Sequence, residues 1–344
     1  MRIFLRAHWK ALVAIVLLVV LALFTVSPGA AVPEISLASR LRAHVAAIDS
    51  GERGAAIPAR RERAARYIED VLRGDGYAIR RQRYQAGGTH APRLVRNIEV
   101  SVSNLVPGAR PARIFILGAR CDPGPGDDEG SGAAAVLELA RLLKDLRPSQ
   151  GTEVKFVFFI DEEPSWSRDG ELGSAQRLED APAPHSAGWY ALRRHGRKLS
   201  PGAKENAARP DAGSPDAGRP DAGSPDAGSP DAGNFIAYVG TLESSRRVQD
   251  ALSAFRAISE LPSHGLAAPA YVQGVTLSGH ASFGHAGYPA VMVTDTAFLR
   301  YPYYKMNAGE QPRDTPDGLD YAATARVLKG LARTIVALAA GAQG

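Results

Sequence analysis

Three short apolar runs set the strongest limit on how this chain of 344 residues can fold. They cover residues 113–119 (RIFILGA), 154–160 (VKFVFFI) and 290–294 (AVMVT). Each is too short for an ordinary helix and rich in β-branched or aromatic residues, so each is expected to form a strand covered on both faces. The overall composition, 45% hydrophobic and 22% charged, excludes a disordered chain.

Helical patterns alternate with these strands. Apolar residues recur at helical spacing in residues 41–48, 62–72, 132–146 and 319–339. The segment 132–146 is expected to be amphipathic, and Thr315 and Pro316 are expected to begin the last helix as its N-cap and first-turn residue. The alternation predicts one α/β domain, a three-layer sandwich in which a mixed, mostly parallel sheet lies between helices.

The first 33 residues have the layout of an export signal. A basic stretch, residues 1–10, precedes the uncharged apolar residues 11–26, and small residues follow at 27–31. The apolar run is shorter than the ~20 residues of a full span, so a signal anchor and a cleaved signal peptide both fit, and the anchor is slightly favoured. The basic residues ahead of the run place the domain outside the cytoplasm, membrane-anchored, or secreted or periplasmic after cleavage.

A low-complexity insertion interrupts the predicted domain, which covers residues 34–344. Within the insertion, residues 198–234, five copies of a unit containing Pro-Asp-Ala-Gly occupy residues 209–233. A proline at every fifth position is incompatible with a helix or a central strand, and the unit has no apolar face to bury. The insertion is therefore predicted to be a solvated loop.

The charge balance gives no indication of a nucleic-acid partner. Lysine and arginine exceed the acids by five, and three of these basic residues lie in the first ten positions. Nucleic-acid binding would need basic residues clustered on a folded face. The single cysteine, Cys121, excludes an intramolecular disulfide and a cysteine-based zinc knuckle.

Carboxylates follow all three apolar runs. Asp122 and residues 127–129 follow the first, residues 161–163 the second, and Asp295 the third. Ligands of open α/β sheets bind beyond the carboxyl ends of the strands, and acids that converge there repel unless a metal or a cation lies among them. The alternative, that residues 127–129 only favour the start of the next helix, accounts for one cluster and not for two. The sequence therefore predicts a functional site at this edge.

Taken in order, these segments resemble the zinc-dependent aminopeptidases and glutaminyl cyclases of metallopeptidase clan MH, family twenty-eight. The resemblance rests on RAARYIEDVLRGDGYAIRRQRY (63–84), LGARCDPGPGDDEGSGAAAVLELARLL (117–143), VKFVFFIDEEP (154–164), SGHASFGHAGYPAVMVTDTAFLRYPYY (278–304) and DTPDGLDYAATARVL (314–328). It implies a zinc-exopeptidase-like fold. In active members of the family, two zinc ions held by five ligands polarise a peptide carbonyl and activate water, and a glutamate takes the proton.

Four acids match the motifs of the family. The resemblance assigns Asp122 as the acid that orients a ligand, Asp127 as the ligand that bridges the two metals, Glu162 as the general base and Glu163 as a metal ligand.

The other three ligand positions are occupied by Arg120, Ala237 and Lys305. An arginine does not give up its proton to bind zinc, and a lysine does so only at a large cost in pKa. We therefore hypothesise that Arg120 and Lys305 form ion pairs with Asp127 and Glu163 in place of the zinc ions. No cofactor is expected in that case.

Two functions remain open at this point. The first is a peptidase-family pseudoenzyme, non-catalytic or strongly impaired, that keeps a pocket for a peptide or protein ligand. The second is an active zinc-dependent aminopeptidase with a rewired or single-metal site on Asp127 and Glu163, in which a histidine such as His280 or His285 supplies the missing ligand. The side chains expected around the pocket are Asp128, His280, Asp295 and Tyr304. His264 is expected to lie in a loop.

Overall fold

The computed structural model describes the larger part of the predicted domain. The described residues are 34–49, 57–86, 93–121, 130–159, 187–193, 235–272, 274–276, 278–295 and 319–340. The predicted leader, residues 1–33, and the predicted insertion, residues 198–234, lie outside them. Among the helices so described, none combines the length and the apolar character needed to span a bilayer.

The described residues form six α-helices and eight strands. The helices are α1 Glu34–Asp49, α2 Ile57–Gly74, α3 Gly130–Leu142, α4 Ser245–Arg256, α5 His280–His285 and α6 Tyr321–Ala340. The strands are β1 Arg80–Ala86, β2 Arg93–Asn104, β3 Arg113–Arg120, β4 Thr152–Phe159, β5 Ala187–Arg193, β6 Ile236–Thr241, β7 Ser263–Ala268 and β8 Ala290–Thr294.

All eight strands belong to one mixed sheet in the order β1-β2-β4-β3-β5-β8-β6-β7. Strand β3 is parallel to β4 and β5, β5 is parallel to β8, and β6 is parallel to β7. The remaining pairs, β1-β2, β2-β4 and β6-β8, are antiparallel. The three apolar runs are strands β3, β4 and β8, and the prediction of an α/β fold with a mixed, mostly parallel sheet is confirmed.

The two faces of the sheet are covered differently. Helices α1, α2, α3, α4 and α6 pack on one face, called here the helical face, over a core that includes Leu117, Phe156, Tyr238 and Val293. The opposite face carries two smaller apolar clusters, and within the described residues the helix that packs on it is α5. We call it the α5 face.

Helix α3 is buried all round, so the prediction of an amphipathic helix is wrong. Every residue from Gly130 to Ala140 is buried. The helix lies between the strands β3, β4 and β5 on one side and the helices α1 and α6 on the other. Its small residues at 130–135 allow this close packing, because they fill little space on either side.

Burial of α3 takes one carboxylate, Glu138, out of water. Its side chain is 0% exposed and accepts hydrogen bonds from Arg40 (2.9 and 3.1 Å), from Arg141 (3.0 and 2.9 Å) and from His44 Nε2 (3.0 Å). Burial alone would raise the pKa of Glu138, but the hydrogen bonds from His44, Arg40 and Arg141 outweigh it and lower the pKa to about 2. The cluster therefore joins α1 to α3 through a buried charge.

Helix α6 begins later than its sequence predicts. The first helical residue is Tyr321, and Asp320 Oδ1 accepts a hydrogen bond from the backbone N–H of Ala323 at 3.0 Å. Asp320 is therefore the N-cap, and the assignment of Thr315 to that position is wrong. A carboxylate caps as well as a hydroxyl or better, and its charge is also favourable at the positive end of the helix dipole.

Replacing Glu138 by glutamine is expected to destabilise the fold in a pH-dependent way. The lowered pKa of Glu138 contributes about 3 kcal/mol to the free energy of unfolding at neutral pH. This contribution is complete above the ordinary pKa of 4.5 and is lost as the pH falls towards the folded-state pKa of about 2. Urea unfolding of both proteins should therefore show a large difference at pH 7 that shrinks at pH 3. Glu260→Gln, at an exposed position, is the control, and an equal effect of both variants would contradict the prediction.

Gly330→Ala is expected to lower stability by roughly 1–3 kcal/mol through overpacking. An ideal Cβ at Gly330 of α6 would lie 2.5 Å from Cε2 of Phe255, a fully buried ring of α4. Thermal unfolding measures the loss. Gly74→Ala is the matched control, because a Cβ there meets no atom within 4 Å. If Gly330→Ala unfolds at the same temperature as the parent protein, the contact between α4 and α6 is looser than described.

Candidate functional site

The parallel strands end at one edge of the sheet, and three of the predicted site residues lie there. Arg120 is the last residue of β3, and Asp295 directly follows β8. Ala237 is the second residue of β6, which enters the sheet at the same edge because it is antiparallel to β8. Asp295 and Ala237 are 7% and 5% exposed, and Arg120 is half-buried.

The register places two positions that the resemblance assigns to metal ligands in one row. Gly118 of β3 pairs with Ala191 of β5, so Arg120, two residues on, is level with Arg193. Arg193 pairs with Thr294 of β8, and Thr294 pairs with Ala237. Paired residues project from the same face, so Arg120 and Ala237 both belong to the α5 face. They are separated by three strand spacings, roughly 14 Å.

His280 begins α5 and is engaged at both ring nitrogens. Its Nε2 lies 2.6 Å from the carbonyl oxygen of Val275, and its Nδ1 lies 2.6 Å from Ser278 Oγ. A carbonyl only accepts, so Nε2 carries a proton and donates. The residue is 1% exposed, so both ring nitrogens are hydrogen-bonded inside its own turn and away from solvent.

These side chains do not fit a two-zinc site. A guanidinium offers no lone pair, alanine offers no donor atom, and both ring nitrogens of His280 are already hydrogen-bonded to the protein. Within the described ranges, no three His, Cys, Asp or Glu side chains come close enough together to hold a metal. Seven of the predicted site residues lie outside those ranges: Asp122, Asp127, Asp128, Glu162, Glu163, Tyr304 and Lys305. The roles and the ion pairs assigned to them therefore stay predictions.

Cys121 links the ends of the two central strands. Its Sγ donates to the carbonyl oxygen of Phe159 at 3.2 Å, and its backbone N–H donates to the same oxygen at 2.9 Å. The side chain is 1% exposed. A thiol suits this position, because a thiolate would face the negative end of the carbonyl dipole.

The aromatic contacts that fix α5 on the sheet were not predicted from the sequence. The ring of Phe283 packs edge-to-face against Phe159 (6.4 Å between centroids) and against Tyr288 (6.0 Å). These contacts hold α5 against the end of β4. Only the aromatic content of the segment 283–288 could have pointed to them, because no pattern along the chain shows which strand the rings meet.

His264 lies in a strand, so the prediction of a loop is wrong. It belongs to β7, and its Cα partner in β6 is Ala237. The imidazole is exposed and packs edge-on against the ring of Phe235 at 4.8 Å. The segment SHGLAA has no clear apolar alternation, which is why its strand character was not recognised.

Similarity to known proteins agrees with this architecture. Residues 107–189 match the family described as Peptidase family M28. The chain is 30% identical over 281 residues to the "Uncharacterized protein YfbL" of Escherichia coli (strain K12), with 78% of each chain covered.

Solved structures share the fold at low sequence identity. The glutaminyl cyclase of Porphyromonas gingivalis superposes with a TM-score of 0.57 at 17% identity, covering 87% of this chain and 97% of that chain. An aminopeptidase from Aneurinibacillus sp. strain AM-1 superposes with a TM-score of 0.58 at 13% identity, covering 87% and 93%. These two structures show the fold. The family match over residues 107–189, together with the similarity to the E. coli relative over 78% of each chain, shows that the chain belongs to peptidase family M28.

Proposed function

We propose that this zinc-exopeptidase-like protein does not turn peptides over, or does so only weakly, and uses the carboxyl edge of its sheet to bind a peptide. The observation that carries the proposal is the position of Arg120 at the end of β3. The family resemblance assigns a histidine ligand to that position, and the sheet directs the side chain there towards the α5 face.

The charges at the edge support the same conclusion. A fixed cation from Arg120 supplies positive charge where the family has a neutral ligand, and Ala237 removes an anion. Acids that remain nearby can then be balanced without a divalent ion. His280 offers no simple replacement ligand, because a metal would have to displace Ser278 from Nδ1.

The size of the edge fits a short peptide. The row from Arg120 to Ala237 is roughly 14 Å long, which matches about four residues of an extended chain. We further propose that the domain acts outside the cytoplasm and is held at the membrane by residues 1–33. Peptides reaching it there would be bound and released unchanged.

Metal analysis and activity assays test the proposal directly. Purified protein is expected to contain no stoichiometric zinc by plasma mass spectrometry. It is also expected to show no turnover of aminoacyl-nitroanilides or of a peptide that begins with glutamine, with or without added zinc. Binding of that peptide, followed by calorimetry, is expected to persist in a chelator. Stoichiometric zinc with chelator-sensitive turnover would instead establish an active aminopeptidase or cyclase.

Arg120→Ala is expected to lower the free energy of unfolding by about 1–3 kcal/mol, because it removes a cation that balances acids at the edge. Arg120→Lys should lose less, since it keeps the charge. Arg110→Ala, at an exposed position, is the control for urea unfolding. A fully stable Arg120→Ala protein would argue against the ion pairs.

Restoring the ligand types should restore metal binding only in combination. Arg120→His alone is expected not to bind zinc tightly, because two of the five ligand positions are still replaced. The triple variant Arg120→His, Ala237→Asp, Lys305→His is expected to bind zinc in stoichiometric amounts, measured by competition with a zinc-sensitive dye. The double variant Arg120→His, Lys305→His is measured as well, in case a buried aspartate at position 237 prevents the triple variant from folding. Tight zinc binding by the parent would contradict this prediction.

A further inference from the structure

The positive charge of the folded domain is concentrated in one part of the fold. Residues 40–99 contain 13 arginines, no lysine and seven acids, an excess of six, whereas the whole chain has an excess of five. Five exposed arginines and one partly exposed arginine lie together on α2, β1 and β2, on the helical face. This arginine surface comprises Arg63, Arg66, Arg73, Arg81, Arg83 and Arg96.

Two glutamates of α2 hold four of these arginines in place. Glu69, 5% exposed, accepts hydrogen bonds from Arg81 (2.9 and 2.6 Å), Arg96 (2.9 Å) and Arg73 (2.8 Å). The hydrogen bond from Arg81 is the main reason that the pKa of Glu69 is lowered to about 2.

Glu62 extends the same array. It accepts from Arg96 (2.6 Å) and from Arg66 (2.7 Å), so Arg96 bridges the two glutamates. A guanidinium carries five N–H donors, and each of these arginines uses only some of them in these contacts. The remaining donors are thus held in fixed positions for an external anion, with little side-chain entropy left to lose on binding.

Like charges lie close together on the arginine surface. The carboxylates that pair with its arginines in the described contacts are Glu62, Glu69 and Asp70. Arg83 lies directly opposite Arg96 in the β1-β2 ladder, a like-charge pair that is unfavourable in a sheet. Charged residues on an edge strand prevent it from pairing with another chain, which would explain the arginines of β1. This explanation does not extend to the exposed arginines of α2.

Few residues separate the predicted membrane segment from helix α1. The chain has seven residues between the end of the apolar run at Val26 and the start of α1 at Glu34, a span of at most about 28 Å when extended. Helix α1 contacts α2 through His44 Nδ1 and the hydroxyl of Tyr67, which are 2.8 Å apart. Tyr67 directly follows Arg66 and lies one helical turn from Arg63. His44 lies about 15 Å along α1 from Glu34.

We infer that the arginine surface docks the domain onto the phosphate groups of anionic phospholipids in the membrane that holds the leader. Planar guanidinium groups pair with phosphate oxygens in a bidentate way, and a lipid surface presents many such phosphates in a plane. Docking fixes the orientation of the carboxyl edge of the sheet relative to the membrane. The inference rests on the proposed membrane attachment of residues 1–33, but it concerns a different surface from the proposed peptide site and does not depend on peptide binding.

The test uses the full chain reconstituted in two kinds of vesicle, phosphatidylcholine alone and phosphatidylcholine mixed with phosphatidylglycerol. The leader can insert in both, so it does not decide the result. Amide hydrogen exchange of α2 and β1, read by mass spectrometry, is expected to slow only on the phosphatidylglycerol vesicles. Raised salt should abolish the difference by screening.

The triple variant Arg63→Gln, Arg66→Gln, Arg83→Gln leaves the contacts of Glu69 intact. Each basic residue near an anionic surface is worth about a fivefold gain in binding, so docking should weaken roughly a hundredfold and the lipid-dependent protection should disappear. The matched control, Arg110→Gln, Arg246→Gln, Arg247→Gln, removes three exposed arginines elsewhere and should keep the protection.

Three results would overturn the inference. The first is equal exchange on both kinds of vesicle, and the second is protection that survives in the triple variant. The third is protection of α2 and β1 by a duplex DNA oligonucleotide but not by phosphatidylglycerol vesicles, which would identify a nucleic-acid surface instead. Urea unfolding of both variants shows whether each keeps the parent fold, so a loss of protection can be separated from unfolding.

Discussion

Burial of the central parallel strands is the constraint on which the rest of the structure depends. Strands β3 and β4 are apolar on both faces, so a helix must cover them closely, and α3 does so with small residues. That packing buries Glu138, and a buried carboxylate needs cationic partners and hydrogen-bond donors. Arg40 of α1 and Arg141 of α3 supply the cations, and His44 of α1 supplies a further hydrogen bond. The same parallel arrangement brings the ends of β3, β4, β5 and β8 to one edge, where the candidate site lies.

Sequence patterns predicted the central strands well and the edges of the sheet poorly. Strands β3, β4 and β8 were recognised because residues buried on both faces form continuous apolar runs. Strands β1 and β7 were not, because RRQRYQA and SHGLAA have neither a continuous apolar run nor a clear alternation. The start of α6 was misplaced because Thr315 and Asp320 are both acceptable N-caps, and only the hydrogen bond to Ala323 distinguishes them.

The location of the site could be predicted, but its detailed chemistry could not. Acids after apolar strands indicate an edge, yet the row that joins Arg120 to Ala237 depends on strand order and register, which connect residues far apart in sequence. The engagement of His280 by Ser278 and Val275 depends on a turn whose geometry no motif specifies. The arginine surface was hidden for another reason: a net charge averaged over the chain conceals an excess confined to residues 40–99.

The fold and the chemistry of this family are held by different parts of the molecule, which is why one can persist when the other changes. In the described part of the chain, the largest core lies on the helical face, between the sheet and five helices, and contains neither Arg120 nor Ala237. Arg120 and Ala237 lie on the α5 face at the edge of the sheet, where a substitution alters local charge and leaves most apolar contacts in place. The architecture shared with peptidase family M28 is therefore held by the core on the helical face, whereas the candidate site occupies an edge that contributes little to that core.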